Sequence, residues 1–237
     1  MSRVAFVRAA ITWILVAIPL SLSAKELYLD LDHDHEVIYS RDLKEINGEI
    51  NASHLVILGV KLGAINQQTV ESKLGVTKGY LNNAGHHVLL MICYGSNHPG
   101  DNTKVLFGID DDDYQIVSFH LLSSDFKLKG SKKCYKSSLV SKTIATDSGL
   151  KLGMSQEQVK TMLGAPSKEE TNRLIYDYQI KKQYTEKELA ERYRDSPPEA
   201  KLTCEYYYDY GWIDAKFVKS LLVSLEVIKG GEGGGPC

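Results

Sequence analysis

One segment of this chain occurs twice, and the repetition constrains the fold more than any other feature of the sequence. The residues from Gly59 to Gly75 return from Gly149 to Gly164, one residue shorter. An internal repeat of this kind indicates two copies of one structural unit. The repeat carries no catalytic nucleophile, base or metal ligand, so it informs about architecture rather than about chemistry.

Within each copy, the residue types mark both ends of a helix. Ser155 stands at the N-cap position and Gln158 three residues later, a pair in which each side chain bonds the other residue's backbone N–H. Gly164 suits the residue that ends a helix, and Pro166 prevents the helix from continuing. In the first copy Asn66 takes the place of the serine. We therefore predict one short capped helix, with a structural role, in each copy.

The second copy resembles the SmpA/OmlA (BamE-like) family of small outer-membrane lipoproteins. The resemblance is carried by the run Gly149-Leu-Lys-Leu-Gly-Met-Ser-Gln-Glu-Gln-Val-Lys-Thr-Met-Leu-Gly-Ala-Pro166 and by the tyrosine-rich segment Ile175-Tyr-Asp-Tyr178. The tandem arrangement is similar to that of the beta-lactamase inhibitory proteins, which contain the unit twice. The resemblance covers roughly residues 55–122 and 150–228.

This resemblance implies an α+β fold of two tandem helix-plus-antiparallel-sheet modules, whose sheets form one concave surface for a partner protein. It implies no catalytic residues. The lipoproteins are anchored through a cysteine at the cleavage site, and this sequence has no cysteine there. The predicted division is a signal peptide (1–24), N-terminal strands (25–54), a first module (55–140), a second module (141–229) and a flexible Gly-rich tail (230–237).

The N-terminal residues have the pattern of an export signal. Arg3 and Arg8 supply positive charge, an apolar run from Ala9 to Leu20 follows, and Ser21-Leu-Ser-Ala24 offers small residues for cleavage. A retained membrane anchor is the alternative, but the apolar run is short of the about 20 residues that span a bilayer. We expect a periplasmic or secreted protein without a lipid anchor or a further transmembrane segment.

The charge of the chain argues against nucleic acid as a partner. The formal net charge is −2, and cleavage after residue 24 would remove two arginines and no acids, which makes it −4. Proteins that bind nucleic acids usually present a basic face to the phosphates.

Four cysteines, an even number, permit disulfides in an exported chain. They are Cys93, Cys134, Cys204 and Cys237. Three complete pairings are possible, and we favour Cys93–Cys134 because both residues lie within the predicted first module. Cys237 could pair with Cys204, pair between chains or stay free.

Two acidic clusters are candidate metal sites. The first contains Asp30, Asp32, His33, Asp34 and His35. Strand alternation would place its carboxylates on one side and its imidazoles on the other, so a solvated turn is favoured over a metal site. The second, Asp110–Asp113, lacks the glycine and closing glutamate of an EF-hand loop and predicts a hairpin turn. No Gly-x-Ser-x-Gly or GxxxxGK[ST] motif occurs, so we expect neither an enzyme nor a cofactor.

The densest aromatic run is Glu205-Tyr-Tyr-Tyr-Asp-Tyr-Gly-Trp212, in a strand predicted over 201–210. Alternation places Tyr206, Tyr208 and Tyr210 on one face and Tyr207 on the other. With Trp212, the three tyrosines form a candidate binding surface, because Tyr and Trp dominate binding hot spots. The alternative is that they are core and cross-strand packing.

The sequence thus predicts an exported module that binds an unknown protein partner in the periplasm, at the cell envelope or outside the cell. One alternative is a metal-binding protein or metal-dependent hydrolase that uses Asp30–His35. Another is an accessory of outer-membrane assembly.

Overall fold

The structure is a computed structural model, and it describes part of the 237-residue chain. The described residues are 27–29, 44–82, 89–110, 114–128, 133–192 and 206–233. The predicted signal peptide and the Asp30–His35 cluster lie outside them. Among the described residues, no helix combines the length and the apolar character needed to cross a membrane.

These residues form fourteen strands, three α-helices and one short 3-10 helix. The helices are the 3-10 helix Ala52–Leu55, α1 (Gln67–Leu74), α2 (Gln156–Leu163) and α3 (Glu186–Arg192). The strands are β1 (Leu27–Leu29), β2 (Ile46–Asn47), β3 (Val56–Ile57), β4 (Val60–Lys61), β5 (Tyr80–Asn82), β6 (Leu89–Ser96), β7 (Lys104–Ile109), β8 (Ile116–Leu122), β9 (Phe126–Leu128), β10 (Tyr135–Ser137), β11 (Lys168–Glu170), β12 (Arg173–Gln183), β13 (Tyr206–Val218) and β14 (Leu221–Gly233).

The prediction of an α+β fold with two tandem helix-plus-sheet modules is wrong. The described chain is mostly β, and one continuous ten-stranded sheet runs through both repeats in the order β10-β6-β7-β8-β14-β13-β12-β11, with β5 also on β6 and β2 also on β12. The first three-stranded meander is β6-β7-β8, and the second is β12-β13-β14. The two meanders meet where β8 and β14 pair antiparallel, as at His120 and Glu226. Without this pairing, β8 and β14 would each present an unpaired edge. Their pairing satisfies the backbone hydrogen-bonding groups of both edges.

The two meanders exchange the segments that precede their helices. β2, which comes before α1, pairs in parallel with β12 and places Ile46 opposite Tyr178. β10, which comes before α2, pairs in parallel with β6 and places Tyr135 opposite Tyr94. Each repeat therefore covers the outer edge of the other repeat's meander.

The two capped helices are confirmed. The Asn66 side chain accepts from the backbone N–H of Thr69, and Ser155 and Gln158 form the reciprocal capping box. Gly75 and Gly164 follow the helices with φ of 104° and 83°, a region that suits glycine.

Two predicted boundaries are wrong near the C-terminus. The aromatic strand continues to Val218, and the chain reverses at Lys219 and Ser220, whose positive φ values of 50° and 63° are those of a tight hairpin turn. The expected flexible tail from Gly230 is partly strand, because β14 extends to Gly233 and pairs there with Tyr207. Glycine keeps its backbone N–H, so a Gly-rich segment can still complete a ladder.

The sheet has two faces with different coverings. On the helix face, α1 and α2 bury Val70, Leu74 and Val159 in the main core, together with sheet residues such as Phe107 and Ile213. The opposite face, called the outer face below, carries a second and smaller cluster on its β6–β8 half. The buried members of that cluster are Met91, Cys93, Leu106, Leu122, Phe126 and Val223.

The predicted disulfide between Cys93 and Cys134 is confirmed, with the two Cα atoms 4.6 Å apart. It lies in the small outer cluster, against which Cys134 is packed. The bond therefore ties the link between the two repeats to the outer face of the first meander.

Candidate protein-binding surface

A line of aromatic side chains runs along β13 on the outer face. Ile213 and Ala215 of this strand belong to the main core on the helix face, so residues of the other parity face outward. The residues of that parity at the start of the strand are Tyr206, Tyr208, Tyr210 and Trp212, which we call the aromatic ladder. Each of the four is partly exposed, and none belongs to either core cluster.

Contacts within the sheet hold the ladder in place. The rings of Tyr206 and Tyr208 meet edge to face, with centroids 5.8 Å apart. The Lys181 ammonium lies 3.4 Å from the centroid of the Tyr206 ring, which is a cation–π contact. The ring of Tyr210 lies across Gly230, where any β-carbon would overlap the phenol. A side chain at position 230 would therefore displace the Tyr210 ring.

The other face of the same strand segment has a different role. Tyr207 packs on Tyr184, with ring centroids 4.7 Å apart. Asp209 accepts from the ammonium groups of Lys182 at 2.6 Å and Lys229 at 2.9 Å. Burial by itself would raise the pKa of Asp209, but the hydrogen bonds and charges of the two lysines together outweigh burial and hold the pKa below its ordinary value. Its charge is thus matched within the protein.

Beside the ladder, β12 presents a row of polar residues to the outer face. Asp177 lies opposite Trp212, Gln179 opposite Tyr210, and Lys181 opposite Tyr208. Glu45, just before β2, reaches the same row. The Gln179 amide nitrogen, in the orientation that satisfies both of its ends, lies 3.1 Å from each Glu45 carboxylate oxygen.

Asp177 is the carboxylate of this row that the fold leaves unmatched. Burial raises its pKa above the ordinary value, and repulsion by Glu45 raises it further. Its backbone N–H donates to Ser167 Oγ at 2.8 Å, but among the described residues none donates a hydrogen bond to its carboxylate or pairs with it as a cation. The side chain is half-buried, and Trp212 lies opposite it on β13.

A buried polar network lies next to this surface, just beyond Trp212 along β13. Arg173 donates to Asp214 through Nε at 2.8 Å and through Nη2 at 2.9 Å, and the Asp214 side chain is only 3% exposed. In the strand register, Asp214 lies opposite Glu226 on β14, and Glu226 lies opposite His120 on β8. The geometry is that of a bidentate ion pair, which fixes β12 against β13.

His120 and Ser224 form a hydrogen bond of 2.9 Å beside Glu226, and these residue types also occur in hydrolases. All three are buried, with exposed fractions of 4%, 1% and 8%. The Ser224 hydroxyl is therefore out of reach of a substrate in this structure. The arrangement supports a structural role at the junction of β8 and β14.

The structure places the remaining predicted sites as follows. The Asp30–His35 cluster lies outside the described residues, and within the described ranges no group of three or more His, Cys, Asp or Glu side chains is placed to hold a metal ion. Sequence reasoning missed Asp177 and Glu45. The signal for Asp177 was present, since Tyr176 and Tyr178 are core residues and alternation then turns Asp177 outward.

The chain matches no known protein-family model, and the searches of curated proteins and of solved structures returned no match.

Proposed function

We propose that this chain is an exported protein that binds a protein partner through the aromatic ladder on β13. The observation that carries the proposal is the alignment of Tyr206, Tyr208, Tyr210 and Trp212 on one sheet face, partly exposed and outside both core clusters. Such side chains bury a large area at low conformational cost, and their polar ends bond a partner or water.

The platform beneath the ladder supports this role. β13 pairs with β12 from Arg173 to Gln183 and with β14 up to Gly233, so the ladder stands on the middle strand of three long ones. A surface that is ordered before binding loses little conformational entropy when the partner arrives. The ladder therefore has the rigidity expected of a preformed contact surface.

The disulfide supports the proposed location. Disulfides persist mainly in oxidising compartments such as the periplasm and the extracellular space. The signal-like pattern of residues 1–24 favours a periplasmic or secreted protein. The resemblance to the SmpA/OmlA family and to the tandem inhibitory proteins favours a sheet that binds protein.

The test begins by capturing and identifying the partner, and then measures its dissociation constant for single variants. Tyr208→Ala, Tyr210→Ala and Trp212→Ala should each weaken binding by about 1–2 kcal/mol, or about 5- to 30-fold. Tyr114→Ala is the matched control, because Tyr114 is an exposed tyrosine away from the ladder. It should bind as the unmodified protein does.

Thermal melting of the same variants separates contact from packing. We expect small shifts, because the ladder residues are only partly buried. The proposal fails if all three variants bind normally. It also fails if binding is lost only in proportion to unfolding while the Tyr208→Phe and Tyr210→Phe variants bind normally.

A further inference from the structure

We propose that the partner presents an arginine or lysine side chain that docks between Asp177 and Trp212, with Glu45 as a second carboxylate. This inference rests on the proposed function and specifies the chemistry of the occupant. It concerns the edge of the aromatic ladder nearest β12.

The geometry brings two kinds of cation-binding group together. Asp177 and Trp212 are directly opposite each other on β12 and β13, and both face outward. Side chains at such paired positions have β-carbons about 4.5–5.5 Å apart. A cation between them would contact the carboxylate on one side and the indole ring on the other. Aromatic rings attract organic cations, and tryptophan does so most strongly.

Glu45 extends the acidic side of this position. Its carboxylate is held near Gln179, the residue two places along β12 from Asp177. Glu45 is exposed, and it is close enough to Asp177 to raise the pKa of that carboxyl. Two carboxylates thus repel each other beside an aromatic wall, and a cation from a partner would relieve the repulsion.

Charge matching on the rest of the face singles out this position. Arg173 is paired with Asp214, and Lys181 lies on the Tyr206 ring. Asp177 has neither a paired cation nor a hydrogen-bond donor on its carboxylate among the described residues. A surface with this surplus is complementary to a basic group, and complementary charge gives an interface much of its specificity.

An amino-acid side chain fits the position better than a metal ion. Calcium takes six to eight oxygen ligands, and the described residues offer no third acidic, histidine or cysteine group here. The indole wall suits the flat guanidinium of arginine, which stacks on aromatic faces and bonds carboxylates in a bidentate manner.

The first experiment needs no identified partner. Nα-acetyl-arginine amide is titrated at millimolar concentration into the purified protein, while NMR follows the Trp212 indole N–H and the Asp177 carboxyl. We expect the indole signal to shift and the Asp177 pKa to fall toward its ordinary value. The citrulline analogue, which has the same shape without the charge, should cause neither change. Equal responses to the two probes, or no response to arginine, would overturn the proposal.

The second experiment uses the captured partner. Asp177→Asn should weaken binding about 10-fold or more, Glu45→Gln should weaken it less, and Asp147→Asn, at an exposed site elsewhere, should not change it. Asp177→Asn should leave the melting temperature unchanged or raise it, because it removes the repulsion by Glu45. A merely structural Asp177 would give the reverse pattern.

The pH dependence of the affinity gives an independent readout. A bound cation favours ionised Asp177, so affinity should fall as the pH is lowered through the raised pKa of that carboxyl. The charged groups on the outer face around Asp177 are Glu45, Lys181 and Arg173, together with Lys168 and Glu170 on β11 and Asp214 and Lys216 on β13. The Asp177→Asn variant should lose most of this dependence. A dependence unchanged in that variant would contradict the proposal.

The outcomes separate the two proposals. If the ladder variants weaken binding and the Asp177 and Glu45 variants do not, the cation site is wrong and the binding surface stands. If neither set changes the affinity, the proposed function fails as well. If a metal chelator reproduces the effect of Asp177→Asn, the occupant is a metal ion, and the assignment to a basic side chain is overturned.

Discussion

The two meanders share a backbone plan and differ on one face. Cys93, Leu106 and His120 form a row across β6, β7 and β8, and Ile175, Asp214 and Glu226 form the corresponding row across β12, β13 and β14. In the first half, the outer face is sealed by Phe126 and the disulfide. In the second half, it holds an ion pair and the aromatic ladder.

The helix faces show no such difference. Tyr94 donates to the carbonyl of Gly75 at 2.8 Å, and Tyr176 donates to the carbonyl of Gly164 at 3.4 Å, so each meander contacts the end of its own helix in the same way. The repeat therefore preserves the packing of the helices, while the outer faces have diverged. The half whose outer face stays accessible is the one we expect to carry the function.

Breaking the ion pair of the second half should have the largest effect on stability. Asp214→Ala leaves Arg173 half-buried without its partner, and we expect a loss of about 4 kcal/mol in the free energy of unfolding. Chemical denaturation measures it.

The double variant Arg173→Met/Asp214→Leu replaces the ion pair by apolar side chains. It gives the second half an apolar residue at position 214, as the first half has at the corresponding position, Leu106. Replacing a buried ion pair by apolar side chains is often neutral, so the double variant should recover most of the loss. A double variant less stable than Asp214→Ala would show that the two rows are not interchangeable in this way.

Removing the covalent seal of the first half should have the next largest effect. The bond between Cys93 and Cys134 spans a sequence separation of 41, and the double variant Cys93→Ala/Cys134→Ala should cost about 3 kcal/mol in unfolding free energy. Denaturation with and without reductant measures it. Partner binding, corrected for the folded fraction, should be unchanged, because the aromatic ladder is in the other half. Weaker binding at full folding would place part of the contact surface on the first meander.

The smallest effect distinguishes the two helix caps. Gln158→Ala removes the bond to the Ser155 backbone N–H and should cost about 0.5–1 kcal/mol in unfolding free energy. Thr69→Ala, at the corresponding position, should cost less, because the Thr69 hydroxyl bonds the Asn66 side chain rather than a backbone group. Thermal unfolding of the pair measures the difference. Equal losses would mean that the reciprocal bond adds nothing.

Local signals in the sequence predicted local structure well. The capped helices and the shared strand face of Tyr206, Tyr208 and Tyr210 follow from short-range rules, and the disulfide was predicted from the placement of Cys93 and Cys134 in one module. The hairpin turn was missed because Lys219 and Ser220 take positive φ values without the usual glycine or asparagine. The glycines from Gly230 were interpreted as a flexible tail, but Gly230 gives space to the Tyr210 ring.

The continuous sheet and the neighbours of Asp177 were not predictable, for a different reason. A repeat shows that two units are alike, but it does not show which strand edges pair, and the β8–β14 junction depends on contacts far apart in the chain. The environment of Asp177 likewise includes Glu45, which lies near it only because β2 pairs with β12. Alternation along one strand cannot reveal a neighbour from another repeat.

The exchange of edge segments has a consequence for the order of folding. Ile46 pairs beside Tyr178, so an early segment finds its place only after β12 has been synthesised. Closing so long a loop is slow, since its entropy must be lost before any contact compensates for it. The sheet of a nascent chain therefore remains incompletely folded through most of its synthesis. If the chain is exported, as we propose, this delay would help to keep it extended until it has crossed the membrane.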